Sequence, residues 1–334
     1  MPRRQLAMML SIMAALAALF AFNPGAAAGA TCVPATNIEA IIDDSGSMSY
    51  TDVAKNRVEG LKILISKSGN AKKTLGALEF GSAGFDPTTD PAATTLFPPE
   101  PIGPNATAMG AALDANIGAN NGATDYNAAF DKAKVDNPNA NARIFLTDGG
   151  HNEGTYNNGH QGGPPTYVIG LDVTSPDDIA RLQAIANDTG GKYFPDVTTA
   201  NLNSTMNQVD AALNCQSIGN TYTDSFTKQG QSKPHSTSIR RSTRSIDLVL
   251  SWGDPLNQFT IGSIRLRTSN GATVSVAKRH LRIKRTVGKT FLSVHVSGLK
   301  RGKLRFKLRA KTLGSALASS GVQLTTQATQ SRRR

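Results

Sequence analysis

Short apolar runs separated by longer amphipathic stretches fill the first two thirds of the chain. Ala40-Ile41-Ile42 and residues 74–80, 142–146, 166–171 and 192–194 are brief runs bounded by turn residues. Such runs predict strands buried on both faces, as in a parallel sheet. A short edge strand near residues 95–97 is expected inside the Pro-rich loop 85–104. Between the runs, Ala54, Val58, Leu61 and Ile65 recur at helical spacing, predicting a helix over 51–68. Further helices are expected over 105–117, after the loop at 122–127, and over 201–213. Ser175-Pro176-Asp177-Asp178 starts another, with Ser as cap, Pro at the first position and acids in the first turn. Ile179, Leu182, Ile185 and Ala186 supply its apolar face. This alternation predicts an α/β fold with a doubly wound, mostly parallel sheet and helices on both faces.

The pattern changes after residue 216. Residues 217–244 are polar and read as a linker. From 245 onward period-two alternation takes over. Ile264-Arg265-Leu266-Arg267, Leu281-Arg282-Ile283-Lys284 and Leu304-Arg305-Phe306-Lys307-Leu308-Arg309 alternate apolar with basic. Alternation puts the apolar side chains on one face and the basic ones on the other. With turns at Gly253-Asp254-Pro255, Asn270-Gly271 and Gly298, these strands predict a smaller all-β, sandwich-like domain over 245–322. It is similar to the small β-sandwiches appended to secreted bacterial proteins, such as pre-peptidase C-terminal domains. Residues 323–334 read as a disordered tail.

Charge sharpens this division. Residues 1–216 carry 13 Lys and Arg against 21 Asp and Glu, a net −8; residues 217–334 carry 23 against 3, a net +20. An acidic half joined to a basic half points to a boundary and to a polyanionic partner, such as a charged cell-envelope polymer. Candidate contacts are Arg265, Arg267, Arg282, Lys284, Arg305, Lys307 and Arg309. The other readings are a solvated face, or one that docks on the acidic half. Few aromatics interleave with the bases, which disfavours stacking on single-stranded nucleic acid.

At the start, Arg3 and Arg4 precede an apolar stretch from Leu6 to Phe22. Ala26-Ala27-Ala28 and Ala28-Gly29-Ala30 then offer small-residue cleavage sites. Residues 1–30 read as a secretory signal, the alternative being an uncleaved anchor. The chain is expected to be secreted or in the cell envelope. Cys32 and Cys215, the only cysteines, bracket the acidic half. In an exported chain they can pair, stapling residues 31–216 with a contribution of roughly 4–5 kcal/mol; two unrelated thiols are the other reading. Asn105, Asn187 and Asn203 head glycosylation-type triplets, with plain surface Asn as the simpler reading.

The candidate chemistry begins at 40–48, AIIDDSGSM. Ligands of open α/β sheets bind past the carboxyl ends of strands, which is where Asp43, Ser45 and Ser47 fall. A carboxylate and two hydroxyls are hard ligands that suit Mg²⁺ better than Zn²⁺. Thr124 lies in a Gly-containing loop before a helix, and Asp148 follows another apolar strand. These three pieces in this order resemble the von Willebrand factor type A domain with its metal-ion-dependent adhesion site. IFLTDG at 144–149, YVIGLD at 167–172 and IANDTGGKYF at 185–194 are similar to the family too. The resemblance covers about 36–216. It implies Mg²⁺ or Mn²⁺ held mainly by Ser45, Ser47 and Thr124, with Asp43 and Asp148 contributing directly or through water. It also implies a protein partner offering an exposed Asp or Glu. The family often has two glycines before this Thr, where this chain has Gly122-Ala123. Thr107 is a rival without the Gly loop.

Asp44 stands between the ligands with no assigned role. His151, Glu153 and His160 read as solvated loop residues. The sequence holds no nucleophile motif, Zn spacing or phosphate loop that we recognise, so no nucleotide and no enzymatic turnover are expected. An adhesion or ligand-binding protein is the leading expectation. A structural envelope component, or an accessory subunit of an enzyme, is the alternative.

Overall fold

The computed structural model describes residues 32–81, 92–119, 122–275, 281–314 and 322–332. The expected signal segment lies outside the described residues.

The first layer follows the chain as β1 (Asn37–Asp43), α1 (Met48–Thr51), α2 (Asn56–Ser66), β2 (Thr74–Phe80), β3 (Ala93–Pro101) and α3 (Ile102–Asn116). It continues with α4 (Tyr126–Asp136), β4 (Ala142–Thr147), β5 (Thr166–Leu171), α5 (Pro176–Asp188), β6 (Lys192–Val197) and α6 (Leu202–Leu213). The sheet order is β3-β2-β1-β4-β5-β6, parallel throughout except for the antiparallel edge strand β3. Successive side chains of a strand point to opposite faces, and the core divides accordingly. Ile38, Ala40, Ile42, Ile144 and Leu146 pack with α2, α3 and α6. Ile41, Leu78, Phe80, Phe145 and Val168 pack with α4 and α5. The helix expected over 51–68 is shorter, being α2 alone with Thr51 at the end of the preceding four-residue α1. Lys55 is left-handed (φ 53°) and separates α1 from α2, while the Asp52 carboxylate accepts the Asn56 and Arg57 amides (2.7 and 2.9 Å). Cys32 and Cys215 form a disulfide.

A second layer is antiparallel. Its strands are β7 (Ile218–Phe226), β8 (Ser232–Ile239), β9 (Thr243–Ser251), β10 (Gln258–Thr268), β11 (Thr273–Ser275), β12 (Arg282–Val287), β13 (Phe291–Ser297), β14 (Gly302–Thr312) and β15 (Val322–Arg332). They form a four-stranded sheet, β11-β10-β14-β8, and a five-stranded sheet, β12-β13-β9-β15-β7. One apolar core lies between them, including Phe226, Leu248, Leu266, Val294, Leu304 and Leu324.

Two expectations are corrected here. Residues 217–244 are not a linker: they hold β7, β8 and the first residues of β9. Their polarity reflects position, since β7 and β8 are edge strands with much of their length exposed. Residues 323–332 are not a disordered tail but most of β15, which pairs with both β7 and β9. That strand carries few apolar residues because Thr and Gln fill it; Thr326, Gln327 and Thr329 are all buried.

The five-stranded sheet turns its other side toward α2 and α6. Ile63, Val249 and Phe291 make a small apolar cluster there. Asn207 Nδ2 donates to Gln327 Oε1 (2.7 Å), Asn203 Nδ2 to Thr290 Oγ1 (2.8 Å), and Thr290 Oγ1 to Asn56 Oδ1 (2.8 Å). The basic segment therefore docks on the acidic one, through the sheet that lacks most of the alternating bases.

Candidate metal centre

Strand order reverses at β1, with β2 on one side and β4 on the other. At such a switch point the connections leave in opposite directions and open a crevice at the carboxyl ends. Asp43 ends β1, and Asp148 directly follows β4. The loop from 44 to 47 leads into α1, and the loop from 122 to 125 into α4.

Three loops are laced together by their backbones. Gly46 N donates to Gly122 O (2.9 Å), Gly122 N to Gly81 O (2.8 Å) and Asn152 N to Thr124 O (3.1 Å). Gly81 has φ 89°, and a Cβ there would fall within 3 Å of Ser45 and of Ala123 O. A side chain at 81 would push the two loops apart. Asp125 caps α4 by accepting from Asn127 N (2.9 Å) and Ala128 N (3.2 Å), which fixes the residue after Thr124.

The five residues named from the sequence come together. Ser45 Oγ and Ser47 Oγ lie 3.2 Å apart, and Thr124 Oγ1 donates to Ser45 Oγ at 3.2 Å. Ser47 Oγ donates to Asp148 Oδ1 at 2.6 Å. Asp43 Oδ1 accepts the Ser45 amide (2.8 Å) and its Oδ2 accepts the Thr147 hydroxyl (2.6 Å). Asp148 Oδ2 is buried and has no hydrogen-bond partner. Asp43 is fully buried, and burial first, then the Asp148 charge, pushes its carboxyl up to about 6 despite the bonds from Ser45 and Thr147. An orphaned buried carboxylate oxygen is costly, and a second buried carboxylate beside it adds to the cost. A divalent cation would relieve both. No group of three or more His, Cys, Asp or Glu that could hold a metal ion occurs among the described residues. A cation here would therefore rest on three hydroxyls and two carboxylates. That donor set fits Mg²⁺ or Mn²⁺, which prefer oxygen and need few carboxylates.

Other residues fall elsewhere. Asp44 is buried and accepts from Gly118 N (2.8 Å), Ala119 N (2.9 Å) and the Arg57 guanidinium (2.5 Å), which also meets Asp52 at 3.1 Å. Its carboxylate braces the loop behind the site. Thr107 is exposed on α3 and takes no part. His151 and His160 are not solvated loop residues: both side chains are 2% exposed. They pack with Tyr126 and Tyr156, and His151 Nδ1 accepts the Tyr126 amide at 3.1 Å. Thr147 and Asn152 went unnoticed in the sequence. Thr147 holds Asp43, and Asn152 Oδ1 accepts the Thr124 amide at 2.8 Å. Their partners lie far away in sequence, so no local spacing reports them.

The candidate polyanion contacts divide. Arg265, Arg267, Arg305, Lys307 and Arg309 are exposed on the four-stranded sheet. Arg282 and Lys284 are on β12, the edge of the other sheet, and Lys284 lines a cleft beside α2 and α3. The single basic face expected from the alternation is thus five residues of that list, not seven. A chain segment cannot tell from its own pattern which sheet it will join.

No family model and no curated protein matches the chain. Among solved structures, a von Willebrand factor type A protein from Catenulispora acidiphila is similar over 83% of this chain and 59% of its own, at 15% identity and TM-score 0.43. The pilus adhesin SpaC from Lactobacillus rhamnosus GG, in its open conformation, is similar over 90% and 44%, at 13% identity and TM-score 0.43. Manganese-loaded TRAP protein from Plasmodium vivax is similar over 61% and 86%, at 19% identity and TM-score 0.37. This chain thus spans only 59% of the Catenulispora acidiphila protein and 44% of the adhesin.

Proposed function

We propose that the chain is an exported adhesion or ligand-binding protein that recognises an acidic group of a protein partner through a Mg²⁺ or Mn²⁺ site. The supporting observation is the convergence of Ser45, Ser47, Thr124, Asp43 and Asp148 at the switch point, with Asp148 Oδ2 buried and unpartnered. Bound there, the cation would supply an electropositive centre for a carboxylate oxygen of the partner. The chain's part is to position the oxygens. Gly81 and Gly122 bring the loops close, Asn152 and Asp125 fix the backbone around Thr124, and Thr147 orients Asp43. With Asp43 or Asp148 reaching the cation through water rather than directly, the hydroxyl-rich site would leave positive charge on the cation for an exposed Asp or Glu. Binding rather than turnover is the role proposed. The disulfide supports an extracellular or cell-envelope setting.

Calorimetric titration of Mg²⁺ and Mn²⁺ tests this reading. The wild type is expected to bind, and a folded Asp148→Ala is expected to lose binding. Equal binding by both, or none by a folded wild type, would contradict it.

A further inference from the structure

The four-stranded sheet has one face on the sandwich core and the other in solvent. Along β14 the burial alternates strictly: Leu304, Phe306, Leu308 and Ala310 are buried, while Lys303, Arg305, Lys307 and Arg309 are exposed. On β10, Leu266 is buried between exposed Arg265 and Arg267. Register places Arg265 opposite Arg305 and Arg267 opposite Lys303. The next strand, β8, sets Ser236 beside Arg305, Ser238 beside Lys303 and Ser232 beside Arg309.

Like charges directly opposite across strands destabilise a sheet. Among the described residues none of the six bases makes an ion pair with a carboxylate. The whole segment 217–334 has three acids, Asp224, Asp247 and Asp254. Asp224 meets His235 and Lys233, Asp247 meets His295, and Asp254 accepts the Leu256 amide. The acidic layer does not cover this face either, because it docks on the five-stranded sheet. An open groove of about 710 Å³ runs beside the bases, lined among others by Ser236, Ser263, Arg265, Lys303, Arg305 and Lys307.

We propose that this face binds an acidic polysaccharide, with Arg265, Arg267, Lys303, Arg305, Lys307 and Arg309 holding its carboxylates or sulfates. Neighbouring strands lie about 4.8 Å apart, and same-face residues along a strand about 6.6 Å apart. The bases thus form a regular array suited to a polymer with repeated anions rather than to a single small one. Four of the six are Arg, whose planar fork meets an oxyanion with two parallel bonds. Hydroxyls of Ser232, Ser236 and Ser238 flank the row and suit sugar hydroxyls. None of the exposed large apolar residues (Val33, Tyr50, Val53, Val135, Leu256 and Val287) is on this face, which disfavours insertion into a membrane surface. Among the described residues no row of exposed aromatics on this face offers base stacking, which disfavours single-stranded nucleic acid.

The test is affinity of the full chain for heparin and for alginate, measured with chelator present so that the metal reading plays no part. Polyphosphate, duplex DNA and anionic vesicles are run in parallel. Binding to one or both polysaccharides is expected, falling linearly in log K against log salt. Arg265→Ser with Arg305→Ser should weaken it about tenfold or more and make the slope shallower by roughly two. Lys72→Ser with Lys192→Ser removes the same charge from the other layer and should leave it unchanged. No polysaccharide binding, equal loss in both double variants, or tighter binding to DNA, polyphosphate or vesicles would overturn the proposal. So would salt-sensitive self-association abolished by the Arg pair, which would assign the face to a second copy of the chain.

Discussion

Glu39 stands in the middle of β1 and is fully buried. Burial pushes its carboxyl up to about 8; Asn137 and, across the ladder on β4, Arg143 oppose this, while Asp136 adds to it. The unfolded chain ionises this group near 4.5, so the folded state holds one more proton between those values. Stability should therefore fall as pH rises through that window and level off above it. Glu39→Gln removes the titration. Urea midpoints of wild type and variant should separate increasingly in the variant's favour between about pH 5 and pH 8; a constant separation would contradict the assignment. This residue was not legible in the sequence, because its burial depends on β2 and β4 covering both sides of β1. Asp43, Ser45 and Ser47 were legible because their spacing is local and a single tight turn aims them together. Thr124 and Asp148 needed the resemblance to join them. Asp44 sits in the same motif yet serves Arg57, 13 residues on, and the loop at 118–119, 74 and 75 residues on.

At the scale of elements, α6 and β15 show how two layers of opposite charge are joined by neutral polar groups. Asn207 and Gln327 are both buried and bonded to each other at 2.7 Å. Removing either leaves the other without its partner, at about 1–3 kcal/mol. Asn207→Ala and Gln327→Ala should each destabilise by that order, and the double variant by clearly less than the sum. Strict additivity in thermal or urea unfolding would contradict the contact. The alternating strands β10 and β14 were readable because their two faces differ so sharply, and the central strands of the parallel sheet because they are apolar on both. β15 was not, since Thr and Gln fill its buried positions: Gln327 meets Asn207 of α6, while the buried hydroxyls of Thr326 and Thr329 have no hydrogen-bond partner among the described residues. The polar edge strands β7 and β8 were missed for a related reason: an edge strand buries too little to show a pattern.

At the scale of the whole molecule, the two surfaces proposed for partners lie on different layers. One is the crevice between β1 and β4, where hydroxyls and carboxylates converge. The other is the basic sheet face on the far side of the sandwich core from the α/β layer. The order of strands and helices in the first layer followed from the sequence, as did the sandwich-like character of the second. The docking between them did not, because it adds buried Asn, Thr and Gln to a small apolar cluster and the Lys289–Asp114 ion pair, all of which join residues far apart in the chain. Saturating cation at a hundred times its dissociation constant would stabilise the fold by about 2.7 kcal/mol, so a site of this kind should also register in melting temperature. The central claim is tested most directly by anomalous scattering from a crystal grown with Mn²⁺. The account predicts a peak in contact with the side-chain oxygens of Ser45, Ser47 and Thr124, absent from Asp148→Ala. A fully occupied Mn²⁺ elsewhere, with those three oxygens free of metal, would contradict it.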